Sequence, residues 1–283
     1  MGCQLPGGAQ YLVRLVRQRL GLETLRDWIG MPDGREVLAR AYPIAIDARS
    51  LNKLAGTEEA AERAAQVRHD LGDPRVMFLG ADRLDYTKGM LERIQAFGEL
   101  ITEGRIDPDE AVFLQLAIPS RERVDLYRQL RDDIDRLVGR INGSIPRIGR
   151  PPITYMHTSY PRIEMAAIYR AADVMVVTPL RDGMNLVAKE YVACRQHDDG
   201  ALVLSEFTGA ARELRQAYLV NPHDIDGLKD RLVEAMNDMP QNKARRMRAM
   251  RRHVAENDIY KWANTFLDDL ERLTRTAARQ AAG

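Results

Sequence analysis

Two short stretches carry the side chains best suited to chemistry. In RLDYTKG, Arg83 and Lys88 stand five positions apart across a turn. Two cations fixed in that way can hold a diphosphate and neutralise charge developing on a departing phosphate. In TPLRDGMNLVAKEY, Thr178 to Tyr191, an apolar run breaks at Pro179, a turn passes Asp182-Gly183, and helical spacing resumes after Asn185. Asn185 is predicted to cap that helix, because its short side chain can accept from the first unpaired N–H groups. The N–H groups of Leu186 and Val187 then face outward with partial positive charge, an arrangement that suits an anion. Asp182, ahead of the helix, can accept from sugar hydroxyls. Glu190, about two turns further on, either accepts from both hydroxyls of a ribose, as acids do in dinucleotide sites, or pairs with a neighbouring cation.

Both stretches follow apolar runs that read as strands. The strand candidates are VMFLGA from Val76, VFLQLA from Val112, ITYMH from Ile153, VMVVTP from Val174, ALVLS from Ala201 and AYLVN from Ala217. Amphipathic helices lie between them: Met90, Leu91, Ile94, Phe97 and Ile101 make one face, and Tyr127, Leu130, Ile134, Leu137, Val138 and Ile141 another. Strands alternating with helices predict an α/β fold, a doubly wound parallel sheet of Rossmann-like type. Ligands of such sheets bind outside the carboxyl ends of the strands, where both stretches lie. The first fifty residues read differently. A helix is predicted from Gln10 to Leu20, led by a Gly7-Gly8 turn, with Leu12, Leu15, Val16 and Leu20 inward. A hairpin follows, turning at Pro32-Asp33-Gly34. The polar stretch from Asp47 to His69 reads as a connection. Near the C-terminus Asp224 is predicted to cap a helix through Leu228, Leu232 and Met236, and Asp258 to Thr274 to form another.

With 45% hydrophobic and 29% charged residues among 283, the composition is that of a soluble globular protein. A formal net charge of +1 supplies no general attraction to nucleic acid or membrane. Cys3 and Cys194 are too few for a disulfide framework and indicate a reducing interior, so a cytoplasmic location is expected. The basic run KARRMRAMRRH, Lys243 to His253, has no interleaved aromatics and reads as a solvated helix face. His69, His157, His197, His223 and His253 lack metal-ligand spacing, and no CxxC, GxxxxGK[ST] or GxGxxG occurs. Ser120 and Ser205 have no visible base partner, which argues against nucleophilic catalysis. No cofactor and no metal are expected.

RLDYTKG, PSRERV, GRING, TPLRDGMNLVAKEY, SEFTGAA and VNPHD, in this order and spacing, resemble the trehalose-6-phosphate synthase family, glycosyltransferase family 20. The resemblance implies a retaining transferase of the two-domain GT-B type that moves glucose from a nucleotide sugar, with UDP-glucose the expected donor, to glucose 6-phosphate. It implies that Arg83 and Lys88 grip the donor diphosphate. Asp182 would contact the transferred glucose; Gly183 and the amides at Met184, Asn185, Leu186 and Val187 would border the diphosphate. Glu190 would bind the ribose, and Arg121, in PSR, the phosphate of glucose 6-phosphate. The catalytic set would be Arg83, Lys88 and Asp182. In the implied mechanism the sugar–phosphate bond loosens toward an oxocarbenium-like transition state while the two cations and the helix start stabilise the leaving diphosphate. The acceptor hydroxyl attacks from the face being vacated, and the departing phosphate oxygen takes its proton. Configuration is retained without a protein nucleophile or a required metal.

The resemblance covers only the second half of a typical member. It implies a remnant of the acceptor domain over 1–48, the nucleotide-sugar-binding domain over 49–255 and a crossover helix over 256–283. The expectation is therefore a truncated donor-binding half with little activity alone. Its partners would be the two small-molecule substrates, a missing N-terminal domain or further copies of itself, with no nucleic acid and no membrane. Two alternatives share the motifs: another GT-B sugar-phosphate glucosyltransferase, and a non-catalytic nucleotide-binding module.

Overall fold

The computed structural model of the chain describes residues 1–120, 124–145 and 149–281, with side chains through residue 275. The backbone forms two compact units, one running Ala48–Ala255 and the other combining Met1–Asp47 with the segment from Glu256 onward.

The larger unit is built on a six-stranded sheet of β1 (Val76–Arg83), β2 (Ala111–Ile118), β3 (Ile153–Met156), β4 (Val174–Val177), β5 (Ala201–Ser205) and β6 (Tyr218–Val220). Every neighbouring pair is parallel and the spatial order is β6-β5-β4-β1-β2-β3. The six apolar runs predicted as strands all lie in this sheet. The residues of β1, β2, β4 and β5 are buried on both faces, as in Phe78, Leu79 and the whole of β4, which is why these strands read as continuous rather than alternating hydrophobic segments. The helices Met90–Thr102, Asp125–Ser144 and Ile225–Asn237 supply much of the core, with Phe97 meeting Phe78 at 5.3 Å and Phe113 at 5.2 Å. The chain winds outward in both directions from the β1–β4 pair. Connections leave those two strands on opposite sides, so a crevice opens at their carboxyl ends.

One expectation fails in this unit. Residues 47–69 are not a plain connection but the helices Ala48–Ala55 and Glu58–Asp70, the second capped by the Thr57 hydroxyl accepting from the Ala60 amide. Their inward positions are mostly alanines, Ala48, Ala55, Ala60 and Ala64. Small side chains let these helices pack closely, yet they leave a weak hydrophobic pattern in the sequence.

In the smaller unit the first helix spans Pro6–Leu20, so Gly7 and Gly8 lie inside it. Proline suits that first position, since its missing N–H would have had no helical partner there. The buried face is Ala9 and Val13, whereas Leu15 and Leu20, expected inward, are 42% and 67% exposed. The predicted hairpin is present, pairing Trp28–Gly30 with Glu36–Leu38. Its turn closes with the Gly34 amide on the Met31 carbonyl, Gly34 taking φ +84°. The last helix, Ile259–Ala281, returns to this unit: Trp262 Nε1 donates to the Tyr42 carbonyl, and buried Asp269 accepts from Tyr42 and Arg40. Among the described residues no helix is long and apolar enough to cross a membrane.

Candidate functional site

The crevice beyond β1 and β4 is assembled from three loops. After β1, Asp85 accepts from both the amide and the hydroxyl of Thr87 (2.9 and 2.7 Å), which winds Tyr86–Lys88 into a single tight turn. Burial works against the Asp85 charge, but the Thr87 hydrogen bonds and the Lys88 ammonium outweigh it and hold the carboxyl below its ordinary range. The turn ends on Gly89 at φ +62°, where a Cβ would stand 2.0 Å from the Thr178 carbonyl oxygen. Only glycine allows that approach. The Leu180 amide donates to the Thr87 carbonyl at 2.8 Å, joining the loop after β1 to the loop after β4.

That junction places Lys88 against Asp182. The Nζ–Oδ2 distance is 2.6 Å across 94 residues of sequence, with side chains 13% and 20% exposed. Asn185 meets the expectation that it caps the helix. Its Oδ1 accepts from the Ala188 amide at 2.9 Å, capping Leu186–Cys194, and its Nδ2 donates to Asp182 at 3.3 Å. The N–H groups of Leu186 and Val187 belong to the first turn, where a helix offers no acceptor of its own. Met184 is buried and Gly183 exposed on the way into this turn. Arg83, the last residue of β1, is exposed, with no ion pair among the described residues.

The third loop follows β5. Asp182 and Thr208 form an isolated parallel bridge, the Asp182 amide donating to Phe207 and its carbonyl accepting from Gly209. A Cβ on Gly209 would lie 2.2 Å from the Gly183 carbonyl oxygen, so SEFTGAA backs the Asp182-Gly183 turn at main-chain distance. The hydroxyl of Ser205 accepts from the Phe207 amide and helps shape this turn.

Glu190 stands farther along the capped helix and accepts from the hydroxyl of buried Tyr169 at 3.0 Å. Its direct partner is thus a neutral hydroxyl rather than the cation of the alternative reading. Burial pushes its carboxyl above the ordinary 4.5, with the Tyr169 hydrogen bond and the Arg162 charge pulling the other way. Arg121 lies outside the described residues. Among those residues no group of three His, Cys, Asp or Glu side chains is placed to hold a metal ion.

Beneath the surface residues is a charged network that inspection of the sequence missed. Arg93 is fully buried, with Nη2 on Asp82 (2.8 Å), Nε on Gln115 (2.8 Å) and Nη1 near the carbonyls of Lys88 and Val176 (both 3.4 Å). One guanidinium therefore ties β1, β2 and β4 to the main chain of the Lys88 turn. Gly80 makes room, since a Cβ there would be 2.4 Å from Gln115 Oε1 and 2.9 Å from Arg93 Nε. Burial raises the Asp82 carboxyl, and Arg93 and Lys88 oppose that rise. The available signal was an arginine inside the apolar face Met90, Ile94, Phe97, together with a glutamine in mid-strand.

Comparison with known proteins identifies the family and agrees with the fold. Residues 1–272 match the profile of glycosyltransferase family 20. The trehalose-6-phosphate synthase of Mycolicibacterium gilvum is 52% identical over 278 residues, covering 95% of this chain and 55% of that protein. The structure of an α,α-trehalose-phosphate synthase (UDP-forming) from Burkholderia xenovorans in complex with glucose 6-phosphate superposes with a TM-score of 0.88 at 35% identity. It covers 95% of this chain and 60% of that one. An E. coli structure bound with UDP-2-fluoro glucose superposes with a TM-score of 0.86 at 34% identity, with the same shares of each chain. The chain thus spans little more than half the length of the curated relatives it matches.

Proposed function

The chain belongs to glycosyltransferase family 20, and from that premise we propose that its larger unit is the nucleotide-sugar site of a trehalose-6-phosphate synthase, binding UDP-glucose for transfer to glucose 6-phosphate with retention. The observation that carries this reading is the Lys88–Asp182 contact of 2.6 Å at the sheet's switch point, beside the helix start capped by Asn185. A cation, a carboxylate and a turn of outward N–H groups meet there in the order that a diphosphate joined to a sugar requires.

In this reading the donor exchanges the internal ion pair for two contacts of its own. Lys88 and Arg83 turn to the diphosphate, the Leu186 and Val187 amides meet its oxygens, and Asp182 accepts from the hydroxyls of the glucose. The charge that grows on the leaving diphosphate is met by groups already in place, so they stabilise the transition state more than the ground state. No metal is assigned to this step. Ionised Glu190 accepts from the ribose hydroxyls while Tyr169 holds its carboxylate in position. The glucose 6-phosphate complex of the Burkholderia relative supports the same acceptor here, with Arg121 assigned to its phosphate.

Calorimetry with UDP-glucose tests the assignment. The chain is expected to bind it, and Arg83→Ala and Lys88→Ala each to weaken binding about tenfold or more. Unchanged affinity in both variants would overturn the site. Product analysis with UDP-glucose and a panel of sugar-phosphate acceptors tests the acceptor: a product other than trehalose 6-phosphate would reassign the reaction within the fold.

A further inference from the structure

The basic run on the helix Pro240–Glu256 is only in part a solvated face. Arg248, Arg251 and Arg252 fall on one edge of that helix, at i, i+3 and i+4, and turn toward the helix Ala48–Ala55. With Arg49, Asn52 and Asp198 they line a cavity of about 410 Å³ inside the larger unit. That volume lies within the range of small-molecule sites. The lining holds four guanidinium groups and one carboxylate.

The single acid is rigidly placed. Asp198 occupies the left-handed region at φ +56° and accepts from Arg248 Nε at 2.9 Å and Arg251 Nη1 at 2.6 Å. Its turn is anchored by Arg195, 4% exposed, whose Nη1 donates to the carbonyls of Tyr169, Arg170 and Ala172. Asp198 therefore fixes the aim of two guanidiniums, and its one charge does not balance Arg248, Arg251 and Arg252 together. Like charges gathered around a concave surface repel one another and raise the local concentration of anions. Arg252 has no ion-pair partner among the described residues.

We propose that this cavity is a second binding site, for a small phosphate ester. Guanidinium forks match the oxygens of a phosphate two at a time, and the volume leaves room for an organic body beside it. A nucleic acid strand fits less well, because the lining holds no aromatic side chain on which a base could stack. The site is separate from the strand-end crevice. It touches Ala193, near the end of the nine-residue helix Leu186–Cys194, whose beginning forms the crevice; that helix is about 13 Å long. Asn52 Nδ2 donates to the Ala193 carbonyl and so covers the negative end of the helix that an anion would otherwise meet.

Calorimetric titration of the whole chain with inorganic pyrophosphate tests the proposal, with folding checked by thermal melts. A saturable binding event is expected to survive Lys88→Met, which disables the crevice, and to weaken at least tenfold in the double variant Arg248→Ala/Arg252→Ala. Asp198→Asn keeps a residue that tolerates the left-handed backbone and releases two guanidiniums, so it is expected to tighten binding several-fold. The proposal is overturned if no saturable binding occurs at millimolar pyrophosphate, if Lys88→Met alone abolishes it, or if the double arginine variant binds as the wild type does. Weakened binding in Asp198→Asn would refute the competition between the carboxylate and the anion.

Discussion

The Lys88–Asp182 pair makes opposite predictions for two ligands that differ only by a sugar. The ammonium and carboxylate touch at 2.6 Å and are mostly, though not fully, shielded from water. In the proposed site, UDP separates them and engages only Lys88 of the two, whereas UDP-glucose separates them and engages both. A hydrogen bond to a charged group contributes about 1.5–3 kcal/mol, and every 1.4 kcal/mol is about a factor of ten. Lys88→Met is therefore expected to weaken UDP and UDP-glucose alike, by roughly ten- to a hundredfold. Asp182→Asn removes the competitor for Lys88 and a negative charge near the diphosphate. The pair itself is worth about 1 kcal/mol or less at this exposure, so UDP should bind up to about fivefold more tightly. UDP-glucose loses a charged acceptor for its sugar hydroxyls at the same time. The ratio of the UDP-glucose to the UDP dissociation constant should then rise on the order of tenfold in Asp182→Asn and stay flat in Lys88→Met. Calorimetry with both ligands on the three proteins reads this ratio directly. If Asp182→Asn weakens UDP as much as UDP-glucose, the carboxylate serves to place Lys88 and does not contact the sugar.

Three further outcomes follow from the same geometry. Arg93→Met strands the buried Asp82 carboxylate, and chemical denaturation should show a loss of about 3–5 kcal/mol; adding Asp82→Asn should recover part of it, and a purely additive double variant would refute the pairing. Gly89→Ala meets both the left-handed backbone and the Thr178 carbonyl 2.0 Å away, so UDP-glucose affinity should fall along with stability, whereas an unaltered affinity would mean that the Lys88 turn can move. Glu190 must be ionised to accept from a ribose, and burial raises its carboxyl. UDP-glucose affinity should therefore decline on acidification while the pH is still above the ordinary 4.5, and Glu190→Gln should bind weakly with a flat profile. The stability effect runs the other way, because a raised acid favours the protonated fold: its contribution is present at low pH and lost as pH rises through the raised value.

The parts of the fold legible in the sequence are those in which burial writes a simple pattern. β1, β2, β4 and β5 are covered on both faces and appear as unbroken apolar runs, and Asn185 and Asp224 sit where a short polar side chain starts a helix. The pattern fails where packing uses small residues or charges. The helix Glu58–Asp70 buries Ala60 and Ala64, which carry too little hydrophobic signal to outweigh its charged surface. The first helix turns Ala9 and Val13 inward, not the larger leucines. Arg93 is the clearest case: in a helix, a lone arginine among apolar residues reads as a solvated edge, yet here it is fully buried.

The candidate site divides in the same way. Each half was marked in the sequence by polar side chains at a strand end, Arg-x4-Lys in one and Asp-Gly-x-Asn in the other. Their meeting was implied only by the resemblance, since nothing in the spacing of residues 83 and 182 says that β1 and β4 are neighbours; the winding order β6-β5-β4-β1-β2-β3 brings them together. That order also explains the buried Arg93. The two central strands must hold their carboxyl ends apart enough for a ligand, yet keep the Lys88 turn from drifting, and apolar packing has no directional preference with which to do both. A guanidinium bonded at once to Asp82 and Gln115, with the Lys88 and Val176 carbonyls at 3.4 Å, has that directionality. A buried ion pair adds little net stability over an apolar replacement, so its presence under the crevice is better explained by position than by stability. It follows that Arg93→Met combined with Asp82→Leu should approach wild-type stability and still bind UDP-glucose more weakly. If the double variant bound as tightly as the wild type, the network would be packing and nothing more.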